Sequence, residues 1–272
     1  MGRIIRGDLP AGAADVFFTC RENQLLHYYE PEPGLFMAES LTVIERALNS
    51  GYEPVMALME EGRVLDAGAE LLAGIDVPVY SLPEEQMRES LGYCLTGGAL
   101  CAMRRKREPD PIEVLSGASR LAVLADVENP TNVGALFRSA AALGMEGVLL
   151  LGGCADPLQR RSIRVSMGNV FAVPWVRMKD AAAGMDVLAA AGFETCGLAL
   201  APSAVPLQEA AARLGSRAAL ILGNERNGIP AKVLEKCDLL AVIPMHAGAD
   251  SLNVATAGAV AFWELTRERK WN

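Results

Sequence analysis

The chain has 272 residues, 51% of them hydrophobic, which is enough for two domains with a sizeable core. No apolar run approaches the ~18 residues of a membrane-spanning helix, and residues 1–8 lack the apolar core of a signal peptide. The net charge of −8 argues, taken alone, against a nucleic-acid partner, because phosphate binding favours a basic surface.

The cysteines and histidines give no sign of a metal site. The six cysteines include no CxxC pair, and the two histidines, His27 and His246, stand at no familiar zinc-ligand spacing from them. We interpret the cysteines as reduced core thiols of a cytoplasmic protein, with a disulfide framework as the alternative. The cysteines are Cys20, Cys94, Cys101, Cys154, Cys196 and Cys237.

The first hundred residues alternate between short apolar runs and amphipathic segments, a pattern typical of a small α/β domain. Residues 104–111 are charged, contain two prolines and show no apolar periodicity, so they are expected to form a linker. We therefore place an N-terminal domain at residues 1–106. Its predicted strands lie at 35–38, 54–59, 77–80 and 99–103, and its predicted helices at 41–48, 64–72 and 83–91.

From Ile112 onward strands and helices alternate again, which predicts a second α/β domain, residues 112–272, with a mainly parallel sheet. Its predicted strands lie at 121–125, 148–151, 171–176, 194–199, 218–222 and 239–243. Its predicted helices lie at 132–144, 157–166, 180–191, 229–237 and 251–267.

Polar residues follow three of these strands. The strand at 121–125 leads through a turn at 129–131 into a helix that carries Arg138, and the loops at 223–228 and 244–253 follow two further strands. Open α/β sheets bind ligands where the carboxyl ends of strands meet such loops. Any one loop is typical of an ordinary turn, but three together indicate a site. The chain has no GxGxxG, GxxxxGK[ST] or GxSxG pattern, which argues against a Rossmann dinucleotide site, a P-loop and a nucleophile elbow.

The three loops also carry a specific resemblance. They contain Asn132-Val-Gly-Ala-Leu-Phe-Arg138, then Gly223-Asn-Glu225 with Gly228, then Ile243-Pro-Met with Ser251-Leu-Asn-Val254. In order and spacing these resemble the three motifs of the SpoU (TrmH-like) RNA ribose 2′-O-methyltransferases of the SPOUT class. The resemblance covers about residues 115–268, with one departure at Arg226, where the family often has glycine. Residues 1–106 are more weakly similar to the ribosomal-protein-like substrate-binding domain of many members.

The resemblance implies a knotted, parallel-sheet SPOUT catalytic domain with a C-terminal trefoil knot, S-adenosylmethionine as cofactor, and a homodimer with the site at its interface. It also implies an RNA substrate, with ribosomal RNA favoured over transfer RNA by the two-domain build. The catalytic residues that it implies are Asn132, Arg138, Glu225, Ser251 and Asn253. The cofactor-binding residues that it implies are Leu222, Gly223, Asn224, Ile243, Met245, Ser251 and Leu252.

The residue matching Arg138 has been given the activating role in family mechanisms. A guanidinium with a pKa above about 12 is a poor base, so we expect Arg138 to stabilise a developing alkoxide or to hold the adjacent phosphate. Each assignment has a simpler alternative. Ser251 can be a helix N-cap, Glu225 can pair with a surface arginine, and Arg138 can be an ordinary surface residue.

Two basic clusters can offset the negative net charge, and we expect them to contact RNA phosphates, which positions RNA without reading its sequence. Two solvated faces are the alternative. The clusters are Arg104, Arg105, Lys106 and Arg107, and Arg160, Arg161 and Arg164.

Two other functions compete with RNA methylation. The first is a non-catalytic RNA-binding or ribosome-assembly module that keeps the fold, which the full set of implied catalytic residues argues against. The second is a nucleotide-dependent enzyme of another kind, which the missing phosphate-binding patterns argue against.

Overall fold

The computed structural model describes residues 4–7, 9–62, 70–71, 74–246 and 251–268. Its strands are β1 (Ile4–Arg6), β2 (Leu35–Glu39), β3 (Pro54–Glu60), β4 (Val79–Leu82), β5 (Ala99–Arg104), β6 (Arg120–Ala125), β7 (Gly147–Leu151), β8 (Trp175–Met178), β9 (Glu194–Leu198), β10 (Val205–Pro206), β11 (Ala218–Leu222) and β12 (Leu239–Val242). Its helices are α1 (Ala11–Ala14), α2 (Glu22–Leu26), α3 (Leu41–Asn49), α4 (Glu84–Leu91), α5 (Pro111–Ser116), α6 (Pro130–Ala142), α7 (Arg160–Val165), α8 (Ala181–Ala190), α9 (Leu207–Arg213), α10 (Ala231–Leu234) and α11 (Val254–Thr266).

The chain forms two units. The first unit comprises Met1–Arg107 and Leu158–Phe171, and the second comprises Glu108–Pro157 and Ala172–Asn272. The sequence placed residues 158–171 in the second domain, and the structure groups them with the first unit instead.

The first unit is built on a five-stranded mixed sheet with the order β1-β4-β3-β5-β2. β4 pairs in parallel with β1 and β3, whereas β5 pairs antiparallel with β3 and β2. β2 is buried along its whole length, and Ser40 caps the helix after it by accepting a hydrogen bond from the Val43 amide, as predicted.

Long-range contacts hold residues 158–171 to the first unit. The Phe171 ring packs against Phe36 and Tyr52, with ring centroids 5.5 and 5.1 Å apart. The Arg46 guanidinium donates to the Met167 carbonyl over 2.6 Å, and Met167 has a left-handed backbone with φ of 55°. Local sequence patterns carry no information on such contacts, which explains the different boundary.

The second unit is built on a seven-stranded sheet with the order β10-β12-β9-β11-β6-β7-β8. Every neighbouring pair is parallel. β7 and β11 are buried along their whole length and β6 along all but its first residue, as near-continuous apolar runs in parallel sheets should be. The predicted α/β fold with a mainly parallel sheet is therefore confirmed.

Some predicted elements differ in extent. The predicted helix at 229–237 is reduced to Ala231–Leu234, and the extended segment at 171–176 becomes a 3-10 turn at Asn169–Phe171 followed by β8. The short elements β1, α1, α2, α5, β10 and α9 were not predicted. The predicted helix at 64–72 lies almost wholly outside the described residues. No helix within the described ranges is long and apolar enough to cross a bilayer.

Candidate active site

The three polar loops leave the same edge of the second unit's sheet. β6 and β11 are neighbours with Leu124 opposite Leu222, and β9 joins β11 to β12. Because all of these strands are parallel, their carboxyl ends meet at one edge. The loop after β12 is described up to His246 and again from Ser251, so Gly248 lies outside the described residues.

Asn132 joins the three loops through its side-chain amide. Its Nδ2 donates a short hydrogen bond to Glu225 Oε1, and its Oδ1 accepts from Asn253 Nδ2 over 3.1 Å. The side chain is 7% exposed, so its amide is held by protein partners rather than by water. The predicted turn before Asn132 is in fact helical, because α6 already begins at Pro130 with Asn129 as its cap. Asn132 therefore lies in the rigid first turn of a helix.

Asn253 fixes the third loop to the helix that follows it. Its Oδ1 accepts from the Ala255 amide over 2.9 Å, so Asn253 is the N-cap of α11. The alternative interpretation of Ser251 as N-cap is thus wrong, and α11 begins three residues later than predicted. Ser251 remains exposed at the site.

The second loop, residues 223–228, is a tight turn closed by hydrogen bonds between the backbones of Asn224 and Gly228. The Asn224 side chain accepts from the amides of Arg226 and Asn227 and donates to the Asp126 carbonyl over 2.8 Å. Asn224, which the resemblance assigned to cofactor binding, thus shapes the loop that carries Glu225.

Glycine is required at the start of this loop. A Cβ on Gly223 would overlap the backbone of Gly228 and Ile229. The close approach of these two backbone segments therefore excludes any side chain at position 223.

Asp126 links the first two loops, and sequence reasoning did not identify it as a site residue. It has φ of 53°, a left-handed conformation that aspartate tolerates better than most residues. Its Oδ1 accepts from the Gly153 amide over 2.6 Å, while its carbonyl accepts from Asn224. The one available signal was an aspartate placed directly after a buried strand.

An open cleft of about 440 Å³ lies at the third loop and is lined in part by Ser251 and Leu252, the residues before Asn253. Four of the predicted cofactor-binding residues line it, namely Ile243, Met245, Ser251 and Leu252, whereas Leu222, Gly223 and Asn224 do not. Leu200, which was not predicted, lines it with 72% of its surface exposed, and Leu252 is 38% exposed. None of the described lining residues is basic. Exposed apolar side chains without basic partners suit a nucleoside-like ligand that has no phosphate.

Arg138 stands apart from the network. It is exposed on α6, six residues after Asn132, and has no hydrogen-bond or ion-pair partner among the described residues. The structure thus brings Asn132, Glu225 and Asn253 together and leaves the Arg138 guanidinium open to a ligand.

The basic run at 104–107 is bonded to the first unit itself. All four side chains have partners. Arg104 pairs with Glu53 at 3.8 Å and covers the Tyr29 ring, and Arg107 pairs with Glu32 at 2.9 Å. Arg105 donates to the Leu35 carbonyl, whereas Lys106 donates to the Ser50 carbonyl and covers the Tyr52 ring. The second basic cluster lies on α7, also in the first unit.

The six cysteines are unpaired in the structure. Burial raises the pKa of Cys101 to about 12 and that of Cys154 to about 11, so both stay protonated and unreactive at neutral pH. Cys94 is exposed and does not fit the prediction of core thiols. No cluster that could hold a metal ion occurs in the part of the chain that the structure describes.

Known proteins share both the motifs and the fold. Residues 119–263 match the model of the SpoU rRNA Methylase family. An uncharacterized tRNA/rRNA methyltransferase of Mycobacterium bovis is 40% identical over 86% of this chain and 81% of its own. The 23S rRNA (guanosine(2553)-2'-O)-methyltransferase RlmP of Bacillus subtilis is 31% identical over 85% of this chain and 88% of its own.

A solved structure shows the same fold over the whole chain. The AdoMet-bound rRNA methyltransferase from Sinorhizobium meliloti superposes with a TM-score of 0.81 at 23% identity, covering 99% of this chain and all of its own. With the family match over more than half of the residues, these likenesses show that the chain belongs to the SpoU rRNA methylase family.

Proposed function

We propose that this protein is an S-adenosylmethionine-dependent RNA ribose 2′-O-methyltransferase that acts on ribosomal RNA in the cytoplasm. The observation that carries the proposal is the amide of Asn132, which bonds one residue from each of the other two motif loops. Ser251 and Leu252, which precede Asn253 in the third loop, line a cleft whose lining suits an adenosine. The 23S rRNA 2′-O-methyltransferase RlmP is 31% identical over 85% of the chain, and this similarity supports ribosomal RNA as the substrate.

The cofactor would be held in the cleft by Ile243, Met245, Ser251 and Leu252. The apolar side chains would cover the adenosine, and the Ser251 hydroxyl offers a polar contact at the rim. S-adenosylmethionine, when bound, supplies an electrophilic methyl group on a sulfonium centre. The protein contributes orientation and electrostatics.

The other substrate is a ribose hydroxyl, which must lose its proton as it attacks. A guanidinium already carries its proton and has no acceptor for another, so Arg138 cannot act as the base. Its guanidinium is exposed and has no partner in the described part of the chain, so it is instead suited to stabilise the developing alkoxide or to hold the neighbouring phosphate. Asn132 keeps Glu225 and Asn253 in fixed positions, so these groups can orient the ribose without reorganising.

We also propose that the enzyme is a homodimer with a C-terminal trefoil knot. One side of α11 is exposed and carries Val260 and Trp263, which are 41% and 50% exposed, and such apolar side chains favour burial against a second copy. The final strand, β12, lies between β10 and β9 rather than at an edge, an order that supports a threaded chain. Light scattering of the full chain tests the dimer.

The function is tested by incubating the purified protein with methyl-labelled S-adenosylmethionine and an unmodified 23S rRNA transcript. We expect label in the RNA, resistant to alkaline hydrolysis at a single position because the 2′-oxygen is blocked. Cofactor binding without transfer to ribosomal or transfer RNA would refute the enzymatic proposal and favour a non-catalytic RNA-binding module.

A further inference from the structure

The first unit contains a cleft of about 560 Å³ that the catalytic motifs do not explain. It lies where α7 meets the strand end of β2 and the segment before β5, and all of its walls belong to the first unit. Six residues line it: Glu22, Glu39, Tyr93, Arg160, Arg161 and Arg164.

Arg160 is part of the wall of this cleft rather than an open cation. Its Nε donates to Glu39 Oε2 over 3.0 Å, and Glu39 is only 3% exposed. Its Nη2 lies 3.0 Å from the same oxygen but has no hydrogen-bond partner among the described residues. The Glu39 carboxylate also accepts from the Thr96 amide over 3.0 Å, and the Arg160 guanidinium covers the Tyr93 ring at 4.8 Å. A buried carboxylate requires such a partner, so Arg160 is committed to the fold.

Besides Arg160 Nη2, two groups of the cleft lack a hydrogen-bond partner among the described residues. Within the described part of the chain, the Arg164 guanidinium has no hydrogen-bond or ion-pair partner. The Tyr93 hydroxyl is buried and has no hydrogen-bond partner there either. A buried hydroxyl without a partner costs on the order of 1–3 kcal/mol, which an acceptor oxygen from a ligand would recover once the flexible arginine side chains rotate.

We propose that this cleft binds a phosphodiester group of the RNA, with Arg164 and the Tyr93 hydroxyl donating to its non-bridging oxygens. A guanidinium and a neutral donor beside it form the kind of site that an oxyanion requires. The site rests on the proposed function for the identity of its ligand, and it deepens that function by placing RNA-backbone recognition on α7. The side chains of the run at 104–107 already have partners within the unit, whereas Arg164 has none among the described residues, which favours Arg164 as the phosphate contact.

The decisive variant is Tyr93→Phe in the full chain. It keeps the ring that Arg160 covers and removes only the hydroxyl. If no ligand uses this group, the loss of an unsatisfied buried hydroxyl leaves the melting temperature equal or higher and the RNA affinity unchanged. If the hydroxyl contacts a phosphate, affinity for an unmodified 23S rRNA transcript falls by about 10-fold, the size expected for a hydrogen bond to a charged group. Unchanged affinity would overturn the proposal.

Salt dependence provides the second readout. Arg164→Gln should weaken RNA binding and lower the slope of log affinity against log salt by about 0.7–0.9 for one lost phosphate contact. Tyr93→Phe should leave the slope unchanged, because tyrosine carries no charge. If Arg164 merely interacted with the end of α7, its variant would lose stability and keep the wild-type slope, and that result would also overturn the proposal.

Arg88→Gln is the matched control, because Arg88 is an exposed arginine of the same unit, outside the cleft, with no partner among the described residues. It should bind RNA as the wild type does. Inorganic phosphate at matched ionic strength should weaken RNA binding to the wild type more than to Arg164→Gln, because both ligands would use the same site. If phosphate binds the wild type and not Arg164→Gln while the two proteins bind RNA equally, the ligand is free phosphate and the RNA assignment is wrong.

These measurements use RNA affinity without cofactor, whereas the proposed function is tested by methyl transfer. A protein that methylates RNA while both variants bind normally contradicts the cleft alone. A protein that binds RNA through the cleft and transfers no methyl group contradicts the function alone.

Discussion

The polar side chains of the two units differ in the partners to which they bond. In the second unit, side chains from three loops bond to one another around Asn132. In the first unit, the dense basic run at 104–107 bonds to neighbouring carbonyls, carboxylates and aromatic rings of its own fold.

The difference shows which sequence signals point to function. Parallel strands bring their carboxyl ends to one edge, so polar residues after several strands must converge. A run of like charges contains no such geometric constraint. The side chains of such a run bond to separate local partners. Arg104 and Lys106, for example, lie over two different tyrosine rings.

The largest expected effect comes from Arg138, the implied catalytic residue whose charged side chain has no partner among the described residues. Arg138→Ala should lower kcat about 100- to 1,000-fold, the range seen when a donor to developing negative charge is removed. Cofactor affinity by calorimetry should stay within a few-fold, because Arg138 does not line the cleft. Arg138→Lys is the matched control: it keeps the charge and loses the planar fork. Near-wild-type single-turnover rates for the alanine variant would refute the role.

The next effect breaks and then restores the Asn132 network. Asn132→Asp places two carboxylates in contact and should destabilise the protein by about 1–3 kcal/mol, measured by denaturant unfolding, with loss of methyl transfer. Adding Glu225→Gln re-forms the hydrogen bond between residues 132 and 225 with donor and acceptor exchanged, while Asn253 can donate to residue 132 throughout. The double variant should therefore recover stability and remain inactive, because the carboxylate has moved.

Two outcomes would contradict this reading of the network. Full activity in the double variant would show that the position of the carboxylate is unimportant. Additive losses of stability, without recovery, would show that Asn132 and Glu225 are not coupled.

A smaller effect tests the assignment of residues 158–171. Phe171→Ala should destabilise the first unit by about 2 kcal/mol, less than for a fully buried phenylalanine because Phe171 is half-buried. Hydrogen exchange should accelerate in β2 and leave β6 and β11 unchanged. Phe193→Ala, in the core of the second unit, is the mirror control and should give the reverse pattern. Acceleration in β6 alone for Phe171→Ala would contradict the grouping.

The smallest effect is expected from the basic run. Replacing Arg104, Arg105, Lys106 and Arg107 together by alanine should lower the melting temperature slightly, because exposed ion pairs contribute little. The salt slope of RNA binding should fall by less than the ~0.7–0.9 of one phosphate contact. A fall of about three would restore the sequence-based expectation that this run binds RNA.

Sequence patterns predicted the second unit better than the first for a physical reason. Fully buried strands such as β7 and β11 form continuous apolar runs that mark their own boundaries. In the first unit, β1 has only three residues, exposed or half-buried, and carries no such mark. Short capped segments were misjudged in both units, as with the predicted helix at 229–237, because apolar spacing does not reveal where a helix stops.

Within the site, the motif residues were predictable and their connections were not. That Asn132 bonds both Glu225 and Asn253 depends on distances across 93 and 121 residues of chain. Asp126 was missed because its contribution lies in a left-handed backbone and a carbonyl, neither of which is encoded in residue type. Tyr93 was missed because its significance is the absence of a hydroxyl partner among the described residues.

The membership of Leu158–Phe171 in the first unit has a consequence for biosynthesis. When the ribosome has made residue 107, the unit still lacks the helix that neutralises Glu39 and the ring that covers Phe36. At about 5–20 residues per second, the missing segment follows several seconds later. Until then the Phe36 ring lacks the cover of Phe171, and the Glu39 carboxylate has the Thr96 amide but no arginine partner. A chaperone that protects the emerging N-terminal half should therefore be released only after residue 171 has left the exit tunnel.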